Sequence, residues 1–157
     1  MNTSHFFTAL GKVRDFRNVG HLLKKFKPDL YSGELMKNRL VSYRYNGYIK
    51  HQIYKNSMLD CYIILWEPFS KSPIHDHSDR GCYLKVLDGF LFESRYKVNN
   101  DRSLLKFSDT RLVNDSVSYI DNKQGVHSIY NPTRFIVPSL HIYSPPDYVA
   151  NRFELDK

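Results

Sequence analysis

A chain of 157 residues with 41% hydrophobic and 25% charged side chains fits one globular domain and excludes disorder of the chain as a whole. No apolar run approaches the roughly 18 residues of a membrane span. Lys12, Arg14 and Arg17 break up the N-terminal apolar residues, so no signal peptide is expected. Two cysteines, Cys61 and Cys82, are too few for a disulfide framework, and a reducing, cytoplasmic setting is expected. The net charge of +7 sits in the first third. Residues 1–50 hold ten Lys or Arg and three Asp or Glu, and residues 51–157 hold thirteen of each sign. The basic residues are dispersed, which predicts a solvated basic face and no nucleic-acid partner.

Residues 4–26 carry two helical stripes, Phe6, Phe7, Leu10 and Val13, then Leu22, Leu23 and Phe26. Thr3 or Ser4 is the expected cap of the first helix. Gly11 and Gly20 weaken the pattern, so two short helices are predicted. Pro28 stops the second, because proline disfavours helix at the residue before it. After Leu40 the texture changes to short β-rich runs separated by Asn, Gly, Asp, Ser and Pro. The predicted strands are Leu40–Tyr45, Tyr48–Tyr54, Leu59–Trp66, Ser72–His77, Tyr83–Leu87, Phe90–Tyr96, Ser103–Asp109, Ser116–Ile120, Gly125–Tyr130 and Ser139–Ser144. Ten short strands argue for a barrel or sandwich, with hairpin turns at Asn99–Asp101 and Asn122–Gly125. The tail from Pro145 reads as irregular. The expected organisation is one all-β domain over 1–157, with a helical N-terminal cap over 1–39 and a barrel over 40–147.

Ser72-Pro73-Ile74-His75-Asp76-His77 carries the chemistry. In a strand, alternate side chains share a face, so His75 and His77 point together and Asp76 points away. Two imidazoles on one face can share a metal ion. Cys82 follows His77 by five residues and Gly89 follows Cys82 by seven. This matches the first cupin motif, with Cys82 where its glutamate would stand. Gly125-Val126-His127 followed by Asn131 resembles the second cupin motif with one residue missing. In a cupin jelly-roll β-barrel, His75, His77 and His127 become a three-histidine site. Three neutral imidazoles leave a divalent metal its full charge and open positions, which suits an anionic, soft thiolate. Such a set also accepts Zn or Ni.

The chain resembles the cysteine dioxygenase family over roughly residues 40–147. The most specific stretches are Trp66 with Ser72–His77, Cys82 through Gly89, and Ser139-Leu140-His141-Ile142-Tyr143-Ser144-Pro145-Pro146. The resemblance implies a non-haem Fe(II) cofactor on His75, His77 and His127, and oxidation of a small-molecule thiol, L-cysteine, by O2 to the sulfinate. It also implies roles for Ser139, His141 and Tyr143, which alternate along one strand and face inward, with the Tyr143 hydroxyl oriented by His141. A Cys82–Tyr143 thioether crosslink is implied because both partners are present. Trp66 is expected to be core or pocket wall supporting the site, and Cys61 a core residue.

One position departs from the family. Where the family has Tyr-x-Arg, with the arginine gripping the substrate carboxylate, this chain has Tyr48-Ile49-Lys50. Lysine neutralises a carboxylate as a point charge, without the bidentate fork. Tyr48 and Lys50 are the expected substrate-binding residues, with Arg44 as an alternative cation. The departure leaves open another thiol substrate (3-mercaptopropionate, cysteamine or an N-terminal cysteine), or a cupin that binds without turnover. His5 and His21 are expected on the surface, His51 facing outward, and the chain a monomer.

Overall fold

The computed structural model describes residues 1–155. Three helices open the chain: α1 (Thr3–Gly11), α2 (Val19–Lys25) and α3 (Glu34–Lys37), with a 3-10 turn at Phe16–Asn18. The cap of α1 is Asn2, not Thr3 or Ser4, and its side chain accepts from the His5 amide at 2.9 Å. A shorter side chain one residue later would enter the helix with helical dihedrals and lose that geometry. Gly20 lies inside α2 because a Cβ there would meet the Tyr83 ring at 2.9 Å.

Eleven strands follow: β1 (Val41–Tyr45), β2 (Tyr48–Lys55), β3 (Asp60–Trp66), β4 (Ile74–His75), β5 (Cys82–Val86), β6 (Phe90–Val98), β7 (Leu104–Val113), β8 (Val117–Ile120), β9 (Val126–Tyr130), β10 (Val137–Tyr143) and β11 (Arg152–Phe153). Their order is β1-β2-β3-β10-β5-β8 in one sheet and β11-β4-β9-β6-β7 in the other. Every named pairing is antiparallel. This is the jelly-roll barrel that the cupin motifs imply, and the spacing of the runs alone predicts a barrel or sandwich. Two expectations change. The segment predicted as strand over Ser72–His77 pairs only at Ile74–His75. The tail is not irregular throughout, because Arg152 and Phe153 add β11 to β4, with Arg152 opposite His75.

Two apolar cores lie on opposite faces of the first sheet. Phe6, Leu10, Val19, Leu23 and Phe26 of the helices pack on Cys61, Ile63, Leu140 and Ile142. Tyr62, Ile64, Trp66, Leu84, Val86 and Val137 face the other way, into the barrel, against Leu91, Leu112 and Ile129 of the second sheet. β3 and β10 are therefore buried on both faces; β3 accordingly runs almost continuously apolar after Asp60, while β10 alternates apolar residues toward the helices with Ser139, His141 and Tyr143 toward the barrel. Each fully buried Leu or Phe of the cap contributes about 1.5–3 kcal/mol. Lys85 points to the cap side and is fully buried. Its ammonium donates to the Leu23 and Phe26 carbonyls at 2.9 and 2.5 Å and pairs with Asp115 at 2.9 Å. It thereby gives the Phe26 carbonyl a donor and adds a second to the Leu23 carbonyl, which also accepts from the Phe26 amide at 3.2 Å. Among the described residues, no helix is long and apolar enough to cross a membrane.

Candidate active site

The three histidines come from both ends of one short pairing. His75 on β4 lies opposite His127 on β9, and His77 follows just beyond β4. Their ligand atoms lie within 4.8 Å of one another. Gly125 permits the entry into β9: its φ is +112°, and a Cβ there would sit 2.3 Å from the Tyr96 carbonyl.

The outer hydrogen bonds settle the tautomers of two rings. His75 Nδ1 lies 2.9 Å from the Pro73 carbonyl, which can only accept, so Nδ1 carries the proton and Nε2 keeps its lone pair. His127 Nδ1 lies 2.8 Å from Glu93 Oε1, with the same consequence. His127 Nε2 and His77 Nε2 face each other at 2.9 Å, and His77 Nδ1 is buried without a partner. His75 and His127 thus turn Nε2 lone pairs inward from buried rings, and in the 2.9 Å contact His77 Nε2–H donates to His127 Nε2, a proton whose place a metal ion would take. Burial, then the neighbouring imidazoles, pushes the His75 pKa down to about 3 and holds that of His77 well below its ordinary value. Such a group resists protons and has the donor chemistry of a divalent transition-metal site. These residues fit the ferrous ion that the sequence implies.

Glu93 adds a partner outside the site residues that the sequence predicts. It lies on β6 and is buried. Besides His127 it accepts from Ser118 Oγ at 2.8 Å and pairs with Arg95 at 3.2 Å. Burial alone would raise its pKa. The hydrogen bond and charge of His127, with Arg95 and Ser118, outweigh burial and bring it down to about 2. A carboxylate behind a ligand histidine orients the ring and raises its basicity. The signal was present in the sequence: Leu91, Glu93 and Arg95 share one face of a strand, so a carboxylate and a guanidinium are in phase with a core leucine.

Ser139, His141 and Tyr143 alternate on β10 and enter the barrel as expected. Trp66 joins them. Its Nε1 donates to Ser139 Oγ at 2.9 Å, Ser139 Oγ lies 2.9 Å from His141 Nε2, and His141 Nδ1 lies 3.3 Å from the Tyr143 hydroxyl. Tryptophan can only donate, and Trp66 and His141 are the only side-chain partners of Ser139 Oγ among the described residues, so the Ser139 proton has His141 Nε2 as its acceptor. Ser139 accepts from Trp66 and spends its proton on His141 Nε2. His141 then carries its proton on Nδ1 and donates to Tyr143. The Tyr143 hydroxyl hydrogen is left for the cavity. Burial, with the nearby Cys82, holds the Tyr143 pKa well above its ordinary value, so the hydroxyl keeps that proton at neutral pH.

The cavity has a volume of about 280 Å³ and is walled by the three histidines, His141, Tyr143, Tyr48, Lys50 and Trp66. Lys50 Nζ sits 4.4 Å from the Tyr62 ring centre and 4.6 Å from that of Tyr143. Burial lowers its pKa, opposed by Cys82 and Asp60. Cys82 lies directly across the β5–β10 pair from Tyr143 and is buried, with burial pushing its thiol pKa up. Arg44 is not in the cavity; it pairs with Glu67 at 2.6 Å on the surface. His51 is turned from the barrel but is buried, not exposed, and shares a 2.7 Å hydrogen bond with Ser42. Cys61 lies in the core beneath the helices.

The model of the family "Cysteine dioxygenase type I" matches residues 12–156. The chain belongs to that family. It is 32% identical to cysteine dioxygenase type 1 of Rattus norvegicus over 115 residues, covering 71% of this chain and 56% of the relative. It is 29% identical to that of Danio rerio over 148 residues, covering 82% and 73%. The chain thus spans just over half the length of the mammalian relatives it matches. Among solved structures, a sugar phosphate isomerase of the cupin superfamily from Silicibacter pomeroyi superposes with a TM-score of 0.56 at 16% identity, covering 82% of this chain and 83% of that one. A Thermus thermophilus protein superposes at 0.53 with 13% identity, covering 71% and 94%. At these identities the likeness establishes the cupin fold alone.

Proposed function

We propose that this chain is an Fe(II)-dependent thiol dioxygenase that converts L-cysteine and O2 to cysteine sulfinate. One observation carries the reading: three inward nitrogen donors share a cavity with a directed Trp66–Ser139–His141–Tyr143 chain that ends in a free phenolic proton. The reaction balances without an outside reductant, R–SH + O2 giving R–SO2H, with sulfur oxidised and both oxygen atoms retained. A ferrous ion on His75, His77 and His127 would supply the redox centre and favour the thiolate form of the substrate.

The chain's own residues do the rest. The Tyr143 hydroxyl donates its proton into the cavity, and His141 Nδ1 keeps that hydroxyl aimed. Tyr48 and Lys50 line the wall on the side where the family resemblance puts the substrate carboxylate. Cys82 and Tyr143, paired across two strands, are suited to a thioether bond. Its formation would remove the thiol hydrogen and one ring hydrogen, with O2 as oxidant.

A second reading keeps the reaction and changes the thiol. It is favoured by Lys50 lying between two tyrosine rings, where a carboxylate reaches it poorly. The test is anaerobic Fe(II) loading followed by oxygen uptake with L-cysteine, cysteamine and 3-mercaptopropionate, with products identified by mass. L-Cysteine gaining two oxygen atoms is the expected result. Full iron content and full activity in His127→Ala would overturn the site. Bound iron without oxygen uptake from any thiol would point to a non-catalytic cupin.

A further inference from the structure

Asp60 is a carboxylate of the cavity wall that the proposed reaction leaves without a task. It opens β3 and lines the cavity with Tyr62, Ile64 and Trp66, which share its face of the strand. It lies opposite Tyr143 on β10, and Tyr143 lies opposite Cys82 on β5, so the three form a row across adjacent strands. The Tyr143 ring stacks on His77 with centres 5.9 Å apart, which brings this row up to the histidine donors.

The two oxygens of Asp60 differ. Oδ2 accepts from the Tyr62 hydroxyl at 3.0 Å and from the Asp147 amide at 2.9 Å. Gln52 Nε2 donates to the Tyr62 oxygen at 2.9 Å, which leaves the Tyr62 proton for Asp60. Oδ1 has no partner, although the residue is only 2% exposed. A buried acceptor without a donor is costly, and more so when it is charged. A carboxylate turns easily about its last torsion, so a donor inside the cavity can draw Oδ1 to itself.

No cation of the protein is paired with this charge. Both donors on Oδ2 are neutral, and among the described residues Asp60 makes no ion pair. Lys50 is near enough to feel the charge, but its ammonium rests over the Tyr62 and Tyr143 rings. Asp147, the other carboxylate of the wall, is paired with Lys55 at 2.5 Å. Burial raises the Asp60 pKa, against the Asp147 amide, Tyr62 and Lys50, so its charged form gains from any further donor. An amino group supplies what is missing. As an ammonium it brings the opposite charge, and with its lone pair engaged elsewhere it still keeps N–H bonds to donate. A thiol donates weakly, and an ionised carboxylate only accepts.

We propose that Asp60, through Oδ1, binds the amino group of the substrate and sets a preference for amine-bearing thiols over thiols that lack an amine. The proposal rests on the thiol-dioxygenase reading for the class of ligand. It gives β3 a part in selecting the substrate that is separate from that of Lys50 on β2.

L-Cysteine and 3-mercaptopropionate share thiol and carboxylate and differ by the amino group, so the ratio of their affinities isolates the contact. Cysteamine, with the amine and no carboxylate, is the third ligand. The metal-loaded protein is titrated anaerobically with each, as wild type, Asp60→Asn and Asp60→Ser, with oxygen uptake measured in parallel and thermal melts to check folding. Asparagine keeps an oxygen for Tyr62 and the Asp147 amide and puts a donor where Oδ1 stands. Asp60→Asn should weaken L-cysteine and cysteamine by at least about tenfold, the worth of a charge-assisted hydrogen bond, and leave 3-mercaptopropionate unchanged or tighter. Asp60→Ser removes the charge with a smaller side chain and should shift the ratio the same way, so the test stands if asparagine does not fold. A ratio of L-cysteine to 3-mercaptopropionate affinity within about twofold of wild type in the folded variants would overturn the proposal, as would equal weakening of all three thiols, the mark of a merely structural role. Binding does not require turnover. Amine-dependent binding through Asp60 without oxygen uptake from any thiol would sink the enzymatic reading and leave Asp60 in place, and oxygen uptake with an unchanged ratio would do the reverse.

Discussion

Replacing Glu93 by glutamine removes one charge from behind the metal site and little else. Glu93 Oε1 accepts from His127 Nδ1 at 2.8 Å, and the second oxygen accepts from Ser118 at 2.8 Å. A glutamine oxygen can still accept from the ring, and its amide can donate to Ser118 if that hydroxyl turns. Arg95 keeps the Tyr119 carbonyl at 2.7 Å. The ring should therefore keep its orientation and tautomer, and the barrel should stay folded. What changes is the basicity of His127, because the negative charge that favours a cation on the far side of the ring is gone. Loss of such a partner costs 10–100-fold in metal affinity as a rough guide, or about 1.4–2.8 kcal/mol. The assay is competition with a chromophoric chelator for Zn(II), which avoids oxidation, on wild type, Glu93→Gln and His127→Ala. The expected order is wild type tightest and His127→Ala weakest. A Glu93→Gln affinity within about twofold of wild type, with His127→Ala weakened, would refute the reasoning and leave Glu93 a packing residue.

Three further outcomes follow from the same contacts. Trp66→Phe removes the donor that sets the direction of the Ser139–His141–Tyr143 chain; kcat should fall about fivefold to tenfold, the value of one misdirected hydrogen bond, with metal content unchanged, as read by oxygen uptake and metal analysis. Lys85→Met leaves the Phe26 carbonyl without its donor and the Leu23 carbonyl with the Phe26 amide alone, and should cost about 1–3 kcal/mol in urea unfolding. Asp115 is held below its ordinary pKa, first by its hydrogen bond to Lys85 and further by Lys27, against a burial contribution of opposite sign. Its stabilisation is present above about pH 4 and is lost as pH falls through the lowered value. Because Asp115 is part-exposed, wild type should exceed Asp115→Asn by less than ~1 kcal/mol at pH 6, with the difference shrinking steadily as the pH is taken down through the lowered value, as followed by acid-range denaturation.

What could be read from the sequence was whatever depends on strand alternation. Ser139, His141 and Tyr143 are fixed to one face of β10 by a period of two, and His75 and His77 also stay together although His77 lies just beyond β4. β4 is shorter than the predicted Ser72–His77 because Pro73 has no amide to offer a ladder, so the regular strand begins at Ile74. Asp60 is visible as a carboxylate at the edge of the apolar run Leu59–Trp66, but alternation alone does not place it in the wall of the cavity that Lys50 also lines. Arg152 carried no signal at all. A two-residue strand has too few positions to show a period, and its place depends on three hydrogen bonds to Asp76 from 72 and 75 residues away.

The basic N-terminal third shows the same limit and suggests its physical role. Its charge drew attention in the sequence, yet its buried side chains are what touch the site's scaffold. β3 and β10 present Cys61, Ile63, Leu140 and Ile142 to the helices and Trp66, Ser139, His141 and Tyr143 to the cavity. Because the period is two, a slip of one residue in β10 would exchange the faces, burying His141 under apolar helices and turning Leu140 into the cavity. Each apolar contact of the cap with Leu140 and Ile142 therefore also holds the register that aims the Tyr143 hydroxyl. Lys85 strengthens this link on the neighbouring strand, since its ammonium holds the end of α2 while Leu84, next to it on β5, faces the barrel. On this account the cap acts through apolar packing and one buried ammonium, and its exposed lysines and arginines are free to vary without disturbing the cavity.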